Sequence, residues 1–509
     1  MRRLLSRAPK TGSLPVLDDA WALSSSVALR PEPFGAMAYD FSTRRLSFLK
    51  HSRLADLVRH LEEHSSALEA CRDAGVDDHD LPAFGEALQR LAETGMLVRR
   101  RGARSGCTTV PAPTPQRAAG PKLADRFERG LSAPICLTWE LTYACNLSCV
   151  HCLSSSGRRD PDELSTAECE AFIDELEELN VFYVNIGGGE PTIRRDFWHL
   201  LDYATGHHVG VKFSTNGSRI TPSAARRLSA NDYVDVQLSL DGATPEVNDA
   251  VRGAGSYATV RRAMTNLAEA GVRGFKLSVV VTRENVDQLD RFKSLAGEHG
   301  AQLRLTRLRP SGRGADVWAR LHPTPEQQRD LYEWLRGQHE EVLTGDSFFH
   351  LGAYGDPLPG LNLCGAGRVV CLIDPLGDVY ACPFTIHEEF RAGSVRSPGS
   401  FRAVWGTSPL FRELRSPSEA GTCNACSSFG TCRGGCMASK YFTGLPLDGP
   451  DPECVKGHGT LALAEVAPGS APRACADHSR GRPVPVVVGR RSPRPPVGTA
   501  AAPTARSGR

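Results

Sequence analysis

From residue 132 onward, short apolar stretches alternate with amphipathic ones six times, and no other feature limits the fold so strongly. The strand candidates are "PICLTWEL", "VFYVNI", "VGVKFS", "VDVQLSL", "FKLSVVV" and "QLRLTRL". Helical patterns lie between them. The first opens on a capping box, Ser165 to Glu168, and turns Phe172, Leu176 and Leu179 to one face. Repeated strand–helix units predict a parallel sheet, here an α/β fold curled into a partial (β/α)6 barrel. In such barrels the chemistry gathers at the C-terminal ends of the strands.

The unusual residues fall at those ends. "CNLSCVHC" follows the first strand, "GGGEP" the second, "STNG" the third, "SLDG" the fourth and "RPSGRG" the sixth. Cys145, Cys149 and Cys152 have a C-x3-C-x2-C spacing. The chain holds 16 cysteines in 509 residues: these three, eight between Cys364 and Cys454, and five scattered singly (Cys71, Cys107, Cys136, Cys169, Cys475). No apolar run is long enough for a membrane span, and "MRRLLSRAPKTG" lacks the apolar stretch of a signal peptide. The expected location is therefore cytoplasmic, where thiols stay reduced, and clustered reduced thiols point to metal. A net charge of +2 argues against a general nucleic-acid or membrane-surface role.

Three is too few for a closed structural zinc site, although an incomplete one stays open on spacing alone. A [4Fe–4S] cube has four irons, so three thiolates leave one iron with a vacant position. Placement after the first strand puts that vacancy at the barrel mouth.

"CNLSCVHC" followed by "NIGGGEP" resembles the radical S-adenosylmethionine (SAM) superfamily. The resemblance implies that the open iron chelates SAM. One electron then cleaves the sulfonium to a 5′-deoxyadenosyl radical, which takes hydrogen from unactivated carbon. By the same resemblance, Gly188, Gly189 and Glu190 approach the SAM amino group. Ser214, Asn216, Ser239 and Asp241 meet ribose and methionine, and Arg252 meets the SAM carboxylate. His151 stands where the family has an aromatic residue against adenine. Each motif alone is an ordinary strand-to-helix turn; their order across six strands is what carries weight.

Cys364, Cys371 and Cys382 precede "CNACSSFGTCRGGC", with Cys454 beyond. Together with Gly377-x4-Cys382, this is similar to the SPASM extension of peptide-modifying radical SAM enzymes. The resemblance implies two auxiliary clusters, one on Cys364, Cys371, Cys382 and Cys436, the other on Cys423, Cys426, Cys432 and Cys454. Two structural zinc sites are the alternative. Iron–sulfur is preferred because a radical oxidation needs an electron acceptor and zinc has no redox chemistry.

Residues 17–102 read as strand, turn and strand in "VALRPEPFGAMAYDFSTRRLSFLK", then helices, then a closing strand "MLVRR". This winged-helix-like α+β unit resembles a PqqD-like peptide-recognition domain, and more closely the mycofactocin-system peptide chaperone. DNA binding is the rival reading, weakened by the domain's many acids. "LTWELTYACNLSCVHCLSSSGRRDP", "RLRPSGRGADVW" and "CRGGCMASKYFTGLPLDGPDPEC" are similar to the mycofactocin radical SAM maturase family.

The expected order is a tail (1–16), a leader-binding domain (17–102), a flexible linker (103–131), a radical SAM core (132–345), a SPASM domain (346–458) and an Arg/Pro-rich disordered tail (459–509). The resemblance implies a precursor peptide ending in Val-Tyr as partner and a reductant such as flavodoxin or ferredoxin, with no membrane or nucleic acid. It also implies that the tyrosine is oxidatively decarboxylated and then joined to the valine by a C–C bond. The rivals are another SPASM maturase, making thioethers or other C–C links, and a non-catalytic iron–sulfur redox-sensing regulator that binds peptide or DNA. Linker tethering of the first domain predicts a high local peptide concentration.

Overall fold

The computed structural model describes residues 15–100 and 130–471, apart from positions 273, 339–340, 345–347, 360–362, 398, 417–420, 424, 468 and 470. Most of the predicted linker, both outermost tails, Cys107 and Cys475 lie outside the described residues.

The N-terminal unit contains β1 (Trp21–Leu23), β2 (Val27–Glu32), β3 (Gly35–Asp40), β4 (Arg45–Leu49) and β5 (Leu97–Arg99). β2, β3 and β4 form an antiparallel sheet in that order, while β1 pairs antiparallel with β5. The predicted single first strand is split by a turn at Pro33–Phe34, where Glu32 pairs with Gly35. Gly35 is required there: at φ +136 a Cβ would lie 2.1 Å from the Leu49 carbonyl oxygen. Helices Ser52–His60, Ala67–Asp73 and Leu81–Glu93 cover this unit's own core.

The six predicted barrel strands are β6 (Cys136–Thr142), β7 (Tyr183–Gly188), β8 (Gly210–Thr215), β9 (Val234–Ser239), β10 (Lys276–Val281) and β11 (Gln302–Arg307). They are parallel and lie in sequence order. The capping box at Ser165 is present, and Phe172 and Leu176 of its helix are buried. The sheet has nine strands rather than six. β12 (Val370–Ile373) joins the free edge of β6 in parallel, and β13 (Asp378–Tyr380) and β14 (Arg391–Ser394) continue it antiparallel.

Alternation sorts the barrel residues. Leu137, Trp139, Val184, Val211, Phe213, Val236, Leu277, Leu303 and Leu305 share one apolar core with the surrounding helices. The opposite face carries Thr138, Asn185, Lys212, Asp235, Gln237, Ser278, Arg304 and Thr306. A closed eightfold barrel fills its interior with branched apolar side chains. Here the interior is polar, a lumen suited to a ligand.

The N-terminal unit is docked on the end of the barrel where the strands begin. Arg30, 1% exposed, pairs with Glu32 at 2.8 Å and donates to the Pro134 and Ala133 carbonyls at 2.8 and 2.9 Å. Tyr39 stacks on Phe182 and Phe41 on Tyr233, with ring centres 5.4 and 4.5 Å apart. Packing, beyond any linker, therefore sets this domain's position. At the other end of the chain, the predicted tail begins too early. Residues His458–Glu465 form a helix, and Leu463 packs against Leu308, Trp318 and Leu321.

Candidate active site

β6 ends at Thr142, and the cysteine loop closes on itself at once: Cys145 N donates to the Gly157 carbonyl at 3.0 Å and Gly157 N to that of Tyr143 at 2.8 Å. Burial pushes the Cys145 thiol up to about 12, with Cys152 and Cys149 adding to the rise. The three sulfurs thus converge, and bound iron would draw them as thiolates. Burial also raises Cys149, but Arg252 and Arg313 work against it.

Arg313 comes from the "RPSGRG" loop after β11, for which sequence reasoning found no role. Its Nε donates to the Cys149 carbonyl, its Nη1 to that of Ser156 and its backbone N to that of Cys152, each at 2.9 Å. Gly312, at φ +55, lets the two loops touch, since a Cβ there would meet the Leu153 oxygen at 2.2 Å.

Of the residues expected to meet SAM, Gly189, Glu190, Asn216 and Arg252 contact this loop, and Asp241 contacts it through His151. The glycines of "GGGEP" are needed for chain packing. A Cβ on Gly189 would sit 2.0 Å from the Ala144 oxygen, and Gly189 N donates to the Thr142 carbonyl at 2.8 Å. Gly188 is at φ +99 against the Thr142 oxygen, whereas Gly187 faces open space. Glu190, 1% exposed, accepts from Thr192, from the Thr215 hydroxyl at 2.7 Å and from Asn216 N at 2.7 Å, and so ties β7 to β8.

Asp241 is fully buried. One of its oxygens takes Val280 N at 2.7 Å; the other lies 2.7 Å from His151 Nε2 and 2.6 Å from Arg252 Nε. Burial would raise this carboxyl, but Arg252 and His151 overcome it and hold the group well below the carboxylate range. Asp241 therefore orients His151 and Arg252, with both of its oxygens engaged. Asn216 donates to Asn146 at 2.8 Å. Ser214 accepts from Gln237 at 2.9 Å, and Ser239 ends β9 on the lumen side.

The second thiol field divides in two. Cys423, Cys426, Cys432 and Cys454 line one cavity, partly open to solvent, together with Asp451 and His458. Cys382 is raised to about 12, by burial first and then by Cys364 and Cys436. Cys371, expected beside them, is placed elsewhere. Fully buried on β12, it belongs with Ile373 to the main apolar core, while Leu372 between them faces Tyr380 and Ile386. Alternation along β12 puts Cys371 on that face; Cys382 borders the same core but feels Cys364 and Cys436, whereas Cys371 feels Cys136. Among the described residues, no group of three or more His, Cys, Asp or Glu converges tightly enough for a single metal ion. A four-iron cube spreads its thiolates wider.

The two fields are joined by β11 and the loop that follows it. Arg309 donates to Cys436 Sγ at 3.4 Å and lies over the Phe384 ring at 3.9 Å. Burial would raise the Cys436 thiol, but Arg309 and Arg307 lower it overall. Arg307 is buried with Asp451 and Glu453, and Asp451 in turn accepts from Cys436 N at 2.7 Å.

Sequence reasoning also missed Glu140. Its side chain is buried on the lumen face of β6 with one oxygen unpartnered. Burial, then Asp374, push its carboxyl up to about 8. The polar residues at alternate strand positions were the available signal.

Models of three families match the chain: the radical SAM superfamily over residues 139–296, an iron–sulfur cluster-binding SPASM domain over 364–427, and the peptide chaperone MftB family over 20–98. The chain is accordingly a radical SAM enzyme, and its cofactors are [4Fe–4S] clusters and SAM. The mycofactocin maturase MftC of Mycobacterium tuberculosis is 67% identical over 382 residues, covering 74% of this chain and 97% of the relative. That of Mycolicibacterium smegmatis is 68% identical over 363 residues, covering 71% and 92%. The chain belongs to the mycofactocin maturase family. In fold it is similar to Streptococcus suis SuiB, solved with bound S-adenosylmethionine, at a TM-score of 0.59 and 17% identity over 85% of this chain and 99% of that one. No described helix is long and apolar enough to cross a membrane.

Proposed function

We propose that this chain matures a precursor peptide in mycofactocin biosynthesis by oxidatively decarboxylating a C-terminal tyrosine and then bonding it, carbon to carbon, to the preceding valine. The observation that carries this reading is a loop of three closely spaced cysteines at the end of β6, beside a polar barrel lumen, in a chain that matches nearly the whole length of a mycofactocin maturase.

Residues 132–345 serve as the radical SAM core, 17–102 as the leader-binding domain and 346–458 as the auxiliary-cluster domain. Cys145, Cys149 and Cys152 hold the SAM-binding cluster. Cys423, Cys426, Cys432 and Cys454 hold one auxiliary cluster, and Cys364, Cys382 and Cys436 supply three thiolates to the other. When bound, these groups supply a carbon-centred radical and an acceptor for the surplus electron. Arg313 and Asp241 hold the loop, His151 and Arg252 in place, and Arg309 steadies Cys436. The peptide's leader adds to an edge of the β2–β4 sheet, leaving its tail in the lumen. A cytoplasmic flavodoxin or ferredoxin supplies electrons.

The test is anaerobic reconstitution with SAM, a reductant and a peptide ending in Val-Tyr. A mass loss of CO2 and two hydrogens is expected, without added chaperone. Loss of two hydrogens alone would indicate a crosslinking maturase instead. Strict dependence on a separate chaperone would remove the role given to the fused domain.

A further inference from the structure

The lumen carries more positive charge than it neutralises. Lys212 on β8 and Arg304 on β11 occupy its inner face, because the flanking Val211, Phe213, Leu303 and Leu305 all belong to the outer core. Lys212 Nζ lies 3.7 Å from the centre of the Tyr183 ring. The Arg304 side chain makes no hydrogen bond or ion pair among the described residues. Asp235 attracts both, but Lys276 already pairs with it at 2.8 Å and Arg44 lies 4.0 Å away, so this one carboxylate is shared among several cations. Burial lowers both Lys212 and Arg304 from their ordinary values, and each is felt by Cys136 across the curled sheet. Both side chains are only half-buried and face the lumen, so an anionic ligand entering it would meet two cations and be held by charge-assisted hydrogen bonds.

We propose that Lys212 and Arg304 form a carboxylate-binding subsite that holds the tail of the peptide inside the barrel. The subsite rests on the peptide reading above and adds to it the group that is gripped. Lys212 lies one inward-facing position below Ser214 on β8, so a carboxylate held there leaves the adjoining side chains directed toward the cysteine loop. A guanidinium and an ammonium that feel each other's charge within one lumen suit a carboxylate, which accepts from both.

The experiment measures anaerobic binding of an N-terminally labelled peptide ending in Val-Tyr to the reconstituted enzyme with SAM. Lys212→Met and Arg304→Met are each expected to weaken binding about 10- to 100-fold. Lys212→Arg should restore most of it. Iron content and melting temperature show that the variants fold. Two further arms need no mutation. If C-terminal amidation weakens binding to the parent enzyme and the Met variants no longer distinguish acid from amide, the terminal carboxylate is the group held. If neutralising the peptide's Asp and Glu side chains has that effect instead, the subsite stands with a side-chain carboxylate as ligand. Met variants that bind every peptide as the parent does would overturn the subsite alone. A parent enzyme that binds no Val-Tyr peptide would overturn the peptide reading with it.

Discussion

The two proposed iron sites, the cysteine loop at the barrel mouth and the thiol field beyond β11, are held by the protein in opposite ways. The loop is short, follows directly on a central strand, and is clamped by backbone bonds and by Arg313. The second field runs through turns and short helices. Its fixed points are left-handed glycines and buried charge: Gly435, at φ +82, lies so close to Asp451 that a Cβ would come within 2.2 Å, and Asp451 is held by Arg307. A site grafted on regular structure is set by the barrel core, whereas a site in loops needs its own ionic scaffold and its metal.

The largest contrast comes from removing one thiol in each field. Cys149→Ala should abolish SAM cleavage and lower bound iron by about four per chain, leaving the second field loaded. Cys432→Ala should also lower iron by about four, yet SAM cleavage in the absence of peptide should persist while peptide oxidation is lost. Iron analysis and deoxyadenosine release read both. If Cys432→Ala stopped cleavage as completely as Cys149→Ala does, the two fields would not be separable.

How far these regions were legible in the sequence follows the same division. Hydrophobic period fixes which residues face the helices, so six strands, their order and the cysteines at the first strand's end could be read directly. The addition of β12 to β6 could not, since four residues, Val370–Ile373, carry no recognisable period and pair across more than two hundred positions. Polar partners were equally hidden. Nothing local in "SLDG" says that Asp241 will be used up by His151 and Arg252, and nothing in "GGGEP" says that Glu190 will bind Thr215 and Asn216. The lumen charge was written in the strands, as Lys212 and Arg304 at alternate positions. It acquires meaning only once the sheet curls and brings them together.

Arg307→Met tests the ionic scaffold. Asp451 and Glu453 would remain buried without their cation, which costs about 3–5 kcal/mol. Thermal or denaturant unfolding of the holoenzyme should show that loss, along with easier release of iron from the second field. The equivalent cut at the mouth, Arg313→Met, removes hydrogen bonds to carbonyls from a half-buried side chain and leaves no buried carboxylate behind. It should cost only about 1–2 kcal/mol. Equal losses would mean that both fields rest on charge.

The smallest expected effect is the sharpest for the second field. Cys371 is fully buried in the apolar core, and burial holds its thiol well above its ordinary value. A side chain so placed behaves as a small hydrophobe. Cys371→Ala should therefore cost about 1 kcal/mol for the vacated volume, keep the parent's iron content and leave the electron paramagnetic resonance of the reduced auxiliary clusters unchanged. Cys382→Ala, one strand further along, removes a sulfur that faces Cys364 and Cys436, and should lose a cluster's worth of iron. If Cys371→Ala lost iron as Cys382→Ala does, β12 would have to turn its other face inward when the cluster binds. That would move Leu372 away from Tyr380 and Ile386, and the second field would then be shaped by its metal more than by its strands.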